Sequence, residues 1–191
     1  MTKQNNQHSI WQELPLVVLF VGLIWLVFLL DRFLPLEEWG LIPRDGTHLF
    51  GIITMPFLHG NFDHLMSNTV PLLVLLILLA GSRANSRMIV LTIILLGGGL
   101  LWLFGRGNAL HIGASGLVFG LAVFLIVSGF LERRIVPLLI AVLVAFMYGS
   151  DVLWGILPWQ TGVSWDGHLF GGIAGAAAAI FLARGKQLNT D

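Results

Sequence analysis

Six stretches of this chain are each long and apolar enough to cross a bilayer, and no other feature constrains the fold as strongly. They run from about 14 to 30, 64 to 81, 88 to 104, 115 to 131, 135 to 151 and 167 to 183. Each is close to the roughly 17–25 residues that a membrane helix needs. Backbone in hydrocarbon must satisfy its own hydrogen bonds, so such segments are expected to fold as helices. With 57% apolar and only 10% charged residues, and a mean hydropathy of +0.89, an ordinary water-soluble domain is excluded. The expected fold class is an all-α membrane protein, a bundle of six transmembrane helices. Ten bases balance ten acids, so no basic surface points to nucleic acid. Cysteine is absent, which removes disulfides, thiol nucleophiles and thiolate metal sites.

Six crossings put both termini on one side, and the basic residues say which. Lys and Arg accumulate in cytoplasmic loops. With the termini inside, the inner segments carry Lys3, Arg83, Arg87, Arg133, Arg134, Arg184 and Lys186, and the outer ones carry only Arg32, Arg44 and Arg106. Both termini are therefore expected in the cytoplasm. The first stretch is too long, too poorly supplied with basic residues before it and without a clear small-x-small cleavage site after it, so it reads as a retained anchor rather than a signal peptide. The expected organisation is a polar tail over 1–13, one domain over 14–184 and a short tail over 185–191. Two outer connections stand out. The first, 31–63, turns apolar from Leu49 to Leu58, too short to span and expected to lie in the interface or dip back into it. The second, about 151–166, holds Trp154, Trp159 and Trp165 without Lys or Arg, the composition of a flap on the bilayer surface.

Polar side chains are costly in hydrocarbon and face the bundle interior or a water-filled cavity. Here they share one depth. His64 and Asn68 begin the second span, Ser115 the fourth and His168 the sixth. Every even-numbered span runs from outside to inside, so topology alone gathers the four residues in the outer half of the membrane. Ser115 becomes a nucleophile when a base takes its proton, and His168, with a reference pKa near ~6.5, suits that role. His64 and Asn68 are four apart on one helical face and could donate hydrogen bonds to the oxyanion of an acyl-transfer intermediate. The amide of Ser115, at a helix start, is a further donor. Gly116 with Gly120, and Gly171 with Gly175, form small-xxx-small faces that let two membrane helices approach closely. His168, Gly171 and Gly175 lie on one stripe.

Each residue also has a plainer role open to it. A serine in a span can back-bond to its own helix, Asn68 can glue helices, the histidines can be satisfied internally, and glycine pairs pack helices without any chemistry. His59, His64 and His111 could suggest a metal, yet no H-E-x-x-H is present and no carboxylate lies mid-span, so no metal site is expected. His59 is expected to make a structural hydrogen bond in the outer loop and His111 to lie in the loop before Ser115. Asp63 and Asp166 precede the expected helix starts, where a carboxylate caps free amides; Asp166 could instead orient His168.

Three motif blocks then resemble the rhomboid family of intramembrane serine proteases. They are His59-Gly60-Asn61-Phe62-Asp63-His64-Leu65 with Asn68, Gly113-Ala114-Ser115-Gly116, and Gly167-His168-Leu169-Phe170-Gly171 with Gly175. The likeness covers about residues 45–183 in order. It implies a six-helix rhomboid-like bundle in which Ser115 attacks the peptide bond and His168 serves as base and then acid. It also implies that His64 and Asn68 help to form the oxyanion hole. Substrates would be single-pass membrane proteins cut in or near their transmembrane segment, at the outer face of a bacterial-type inner membrane. Lipid is then the only other surroundings expected, with no cofactor and no obligate partner. Two departures stand out. Phe50 and Gly51 occupy the place of the family's common Trp-Arg pair, and Phe119 replaces a tyrosine frequent beneath the catalytic histidine, keeping ring stacking but losing a hydroxyl. The alternative is a catalytically inactive relative that binds membrane proteins for quality control. A channel or transporter would leave the ordered motifs unexplained.

Overall fold

In the computed structural model, residues 10–83, 86–159 and 162–188 are described. They form six long helices: α1 (Ile10–Leu30), α3 (Phe62–Ser82), α4 (Ser86–Phe104), α5 (Ser115–Glu132), α6 (Ile135–Gly155) and α7 (Trp165–Leu188), with a short α2 (Gly51–Thr54) after α1. Six of them are long and apolar enough to span a bilayer, which makes the chain a multi-pass integral membrane protein. The expected spans are all present. Helix α1 starts at Ile10, so Trp11 and Glu13, placed in the polar tail from sequence, are helical; residues 1–9, with Lys3, lie outside the described residues, as does the side chain of Lys186.

The ends of the helices follow local chemistry. Asn61 caps α3 by accepting from the His64 amide at 2.8 Å. Helix α5 ends where Arg133 turns left-handed (φ 51°), and extended Arg134 leads straight into α6. Asp63 and Asp166 therefore sit one step inside their helices rather than ahead of them. The capping expected of Asp63 belongs to Asn61, and that of Asp166 is replaced by bonds to a distant loop.

Helix α5 is the centre of the bundle, with Leu121, Phe124 and Leu125 fully enclosed. Its partner α7 lies against it almost backbone to backbone. A Cβ on Gly171 would stand 2.0 Å from the Gly116 carbonyl oxygen, and one on Gly175 would stand 2.0 Å from that of Gly120. Only glycine permits this approach, so the two small-residue faces meet as expected. At the end of the bundle away from Ser115, Arg83 pairs with Glu132, donates to Ser128 Oγ at 2.9 Å and lies 5.7 Å over the Phe124 ring. Ser86 bonds to Glu13 at the same end. These contacts fasten α1, α3, α4 and α5 there.

The connection from Asp31 to Asn61 closes over the Ser115 end. Its apolar piece does not span. It folds as 3-10 turns at Gly46–His48 and Met55–Phe57 around α2, turning Met55, Pro56 and Leu58 inward and leaving Leu49, Phe50 and Ile53 exposed. Gly51 explains one of the departures from the family pattern. A Cβ there would stand 2.5 Å from the Leu41 Cα, so the residue must be glycine for these two strands of loop to touch. The tryptophan-rich segment is shorter than expected, because α6 continues to Gly155 and α7 starts at Trp165; Trp154 and Trp165 are therefore helical, and Trp154 packs on Trp159 at 5.3 Å.

Candidate active site

The loop from Gly105 to Ala114 delivers Ser115 to its place. Leu41 and His111 exchange two backbone hydrogen bonds (3.0 and 2.8 Å), and the Gly113 amide donates to the Met55 carbonyl at 2.8 Å. Gly113 takes φ +107°, a conformation L residues avoid, and a Cβ there would stand 2.5 Å from His64 Nε2. Glycine is thus required twice over, by backbone angle and by the imidazole that lies against it. Ser115 then opens α5 directly after Ala114, and the first helical bond is donated by Val118 to the Ala114 carbonyl. The amides of Ser115, Gly116 and Leu117 have no intrahelical acceptor and remain available to an anion.

The serine differs from five of the other hydroxyls in the spans. Ser67, Thr69, Ser82, Thr92 and Ser128 each donate to a carbonyl three or four residues back. Ser115 has no such bond among the described residues, because it starts its helix and the preceding turn is loop. Back-bonding, its plainer role, is therefore not what this serine does.

His168 lies in the first turns of α7 and is 8% exposed. Its Nδ1 is 2.9 Å from the carbonyl oxygen of Gly155, the last residue of α6. A carbonyl only accepts, so Nδ1 carries the proton and Nε2 is left as an acceptor. The ring also stacks on Phe119, four residues after Ser115, with centroids 4.0 Å apart and planes inclined by 13°. Stacking thus survives the replacement of tyrosine by phenylalanine. Gly155 is small for a reason, since a Cβ on it would come within 2.4 Å of Phe119 and 3.3 Å of His168 Nδ1.

Ser115, His168, His64 and Asn68 all line one cavity of about 720 Å³ between α3, α5 and α6. Asn68 donates to the His64 carbonyl at 2.8 Å through Nδ2, which keeps the amide in one orientation with its second N–H free to point elsewhere. Gly116 touches the Gly167 carbonyl, the residue before His168: a Cβ would be 3.2 Å away. The glycines Gly116, Gly120, Gly171 and Gly175 therefore bring the turns bearing Ser115 and His168 side by side. Hydroxyl, imidazole acceptor, side-chain donors and free amides around one cavity can carry out acyl transfer.

His59 is placed otherwise than expected. It is 1% exposed, and among the described residues neither ring nitrogen meets a partner in hydrogen-bonding geometry. Instead it packs against the His64 ring, centroids 5.0 Å apart. Burial, with the neighbouring His64, holds its pKa down to about 4. His111 lies in the loop as expected, but it is buried and bonded. Its Nδ1 is 2.6 Å from Ser164 Oγ and its Nε2 is 3.7 Å from Asp166 Oδ2; burial depresses its pKa despite the Asp166 carboxylate. Arg106 reaches the same carboxylate, with its backbone amide at 2.9 Å and its guanidinium at 3.0 and 3.3 Å. Arg106, Ser164 and the Gly155 carbonyl were not singled out from sequence. A lone arginine between Gly105 and Gly107 was the one available signal.

Residues 46–185 match the Rhomboid domain family. An uncharacterized protein of Mycobacterium tuberculosis is 42% identical over 181 residues, covering 87% of this chain and 74% of the relative. An uncharacterized protein of Mycobacterium leprae is 40% identical over 195 residues, covering 94% and 76%.

Proposed function

The chain belongs to the rhomboid family, and from that premise we propose that it is an intramembrane serine endopeptidase acting on transmembrane proteins. The observation that carries the proposal is the single cavity shared by Ser115, His168, His64 and Asn68, with the Gly155 carbonyl holding the proton of His168 on Nδ1.

The reaction follows from those positions. Nε2 of His168 takes the Ser115 proton as Oγ attacks the scissile carbonyl. The oxyanion draws hydrogen bonds from the Ser115 amide and from His64 and Asn68. Collapse breaks the C–N bond, and the imidazolium returns its proton to the leaving amine. Water, deprotonated by the same nitrogen, then hydrolyses the acyl-enzyme and regenerates Ser115. A cavity of this size between helices that face lipid suits an extended segment of a membrane protein, and the free amides at a helix start suit its developing anion. The basic residues favour cytoplasmic termini, which puts the site at the outer face of the cell membrane in a bacterial-type cell.

Purified protein in lipid nanodiscs is expected to cleave a single-pass transmembrane reporter and to react with a fluorophosphonate at Ser115. Equal cleavage by wild type and Ser115→Ala would sink the proposal. His168→Ala is expected to abolish turnover. Asn68→Ala should keep a remnant, reduced by about 10²-fold, as for loss of one oxyanion donor. An inactive binding protein would instead retain the reporter uncut.

A further inference from the structure

The nucleophile and the base reach the cavity from different parts of the chain, Ser115 on a loop-to-α5 junction and His168 on α7. Glycine packing sets the distance between α5 and α7 but leaves the loop ahead of Ser115 to be placed by other means. The side chain that joins the two is Asp166, 2% exposed and two residues before His168. Its carboxylate takes three hydrogen bonds from Arg106, one from the amide and two from the guanidinium. The guanidinium also donates to the Val163 carbonyl at 3.4 Å and lies 5.4 Å over the Trp165 ring. One residue thereby ties the beginning of the nucleophile loop to the first turn of α7.

The end of that loop is tied to the same place. Ser164 Oγ has one proton to give and lies 2.6 Å from His111 Nδ1 but 3.5 Å from Asp166 Oδ1. Oγ donates to the Asp166 carboxylate, which leaves His111 Nδ1–H as the donor of the short bond to Oγ. His111 Nε2 stands 3.7 Å from Asp166 Oδ2, a charge–dipole contact rather than a hydrogen bond. Asp166 is thus tied to the loop directly at Arg106 and through Ser164 at His111, nine and four residues ahead of Ser115. None of the four side chains touches the reacting atoms.

We propose that Asp166 is a positioning residue of the catalytic site: through Arg106, His111 and Ser164 it holds the loop that delivers Ser115 in register with the turn that delivers His168. This rests on the protease reading above. The network spans loop and helix at the rim of the cavity, where Arg106, His111 and Ser164 contribute to its lining. Displacement of a reacting group by about 1 Å costs on the order of 10²-fold in rate, and a positioning role acts through that displacement rather than through substrate affinity.

The test compares Asp166→Asn, Arg106→Gln and the double variant with wild type in nanodiscs, each normalised by fluorophosphonate titration of reactive Ser115. The expected result is a fall in kcat per titrated site of about 10- to 100-fold for either single variant, with KM changed less than about twofold. The double variant is expected to be no slower than the slower single, because both remove one shared tie. Arg106→Lys, which keeps the charge but not the fork, is expected to recover part of the loss. Arg106→Gln alters a partly exposed partner, so it remains informative if Asp166→Asn folds poorly. Turnover per titrated site equal to wild type in both single variants would overturn the inference and leave the protease reading intact. Loss of titratable sites alone, with normal turnover at those remaining, would also overturn it. Wild-type protein that neither cleaves nor labels would overturn the protease reading and this inference together.

Discussion

Helices α7 and α6 both pack on α5, and they do so in opposite ways. The seam with α7 is made of backbone on backbone, with the Gly171 and Gly175 Cα atoms against the Gly116 and Gly120 carbonyls. Interhelical contact at this range is steep: a single methyl has nowhere to go. Helix α6 buries only Ala141 and Val144 and turns Leu139, Val142, Phe146 and Leu153 outward. Two of its close approaches to α5 run through glycine, where Gly129 touches Pro137 and Ala141, and where Gly155 touches Phe119. Between α6 and α3 lies the cavity, lined on the α6 side by Tyr148, Asp151 and Val152 and on the α3 side by Ser67, Asn68 and Pro71. The candidate site thus sits on the tight seam, and the cavity is bordered by the helix that buries few of its own residues. Precise placement and access make contrary demands, and the fold assigns them to different helices.

The largest effect is expected at the seam itself. Gly171→Leu must drive α7 off α5, separating Ser115 from His168, and should lower kcat by more than about 10²-fold and cost at least the ~1–3 kcal/mol of ordinary overpacking. Near-normal turnover and melting would break the comparison. Joining α3 to α6 comes next. The chain has no cysteine of its own, so paired cysteines at Ser67 and Val152, bridged by a thiol-specific cross-linker, give a background-free test. Cleavage of a transmembrane reporter is expected to fall by about tenfold or more, whereas a small fluorophosphonate still labels Ser115. Undiminished cleavage would place the entrance elsewhere.

Acid sharpens the comparison from the side of the loops. His59 titrates near 6.5 in the unfolded chain and at about 4 in the folded one, so between these values the unfolded state binds more protons. Stability contributed by the neutral, buried ring is present above pH 6.5 and is lost as pH falls toward 4, by about 3 kcal/mol in all; His111, also depressed, acts in the same direction. Melting temperature in nanodiscs should drop across this window, and His59→Gln should flatten the drop. A pH-independent melting temperature would contradict it. Gly155→Ala is a milder intervention. The added methyl meets Phe119 and His168 Nδ1, and kcat is expected to fall about tenfold, less than the full cost of misplacing a reacting group, with little change in melting. Smallest of all should be Phe146→Ala on the outward face of α6, 87% exposed within the protein: activity unchanged and stability within about 0.5 kcal/mol.

The spans were legible in the sequence because hydrocarbon length and backbone self-satisfaction act locally. The glycine faces were legible for a related reason: a stripe at helical spacing announces a close neighbour without saying which one. Even the gathering of His64, Asn68, Ser115 and His168 needed only the count of crossings. What was hidden depends on loops folding back. Arg106 meets Asp166 across 60 positions and His111 meets Ser164 across 53, and no local pattern encodes such a match. The Gly155 carbonyl was invisible for another reason, since every residue has a carbonyl and only the end of a helix leaves it free. His59 misled because a buried imidazole is expected to find a partner, whereas this one is packed beside a second ring.

The orientation of His168 by a carbonyl has a consequence for where such chemistry can be housed. In water-exposed serine hydrolases the third group is an anion, and an anion moved into surroundings of low dielectric carries a penalty of several kcal/mol unless it is well paired. The Gly155 oxygen supplies direction through a dipole and adds no net charge to the cavity wall. The buried carboxylate nearest His168 in sequence, Asp166, is kept at the rim, where a guanidinium that is 42% exposed neutralises it. On the protease reading, the Ser115–His168 pair is itself neutral at rest and carries charge only during the reaction.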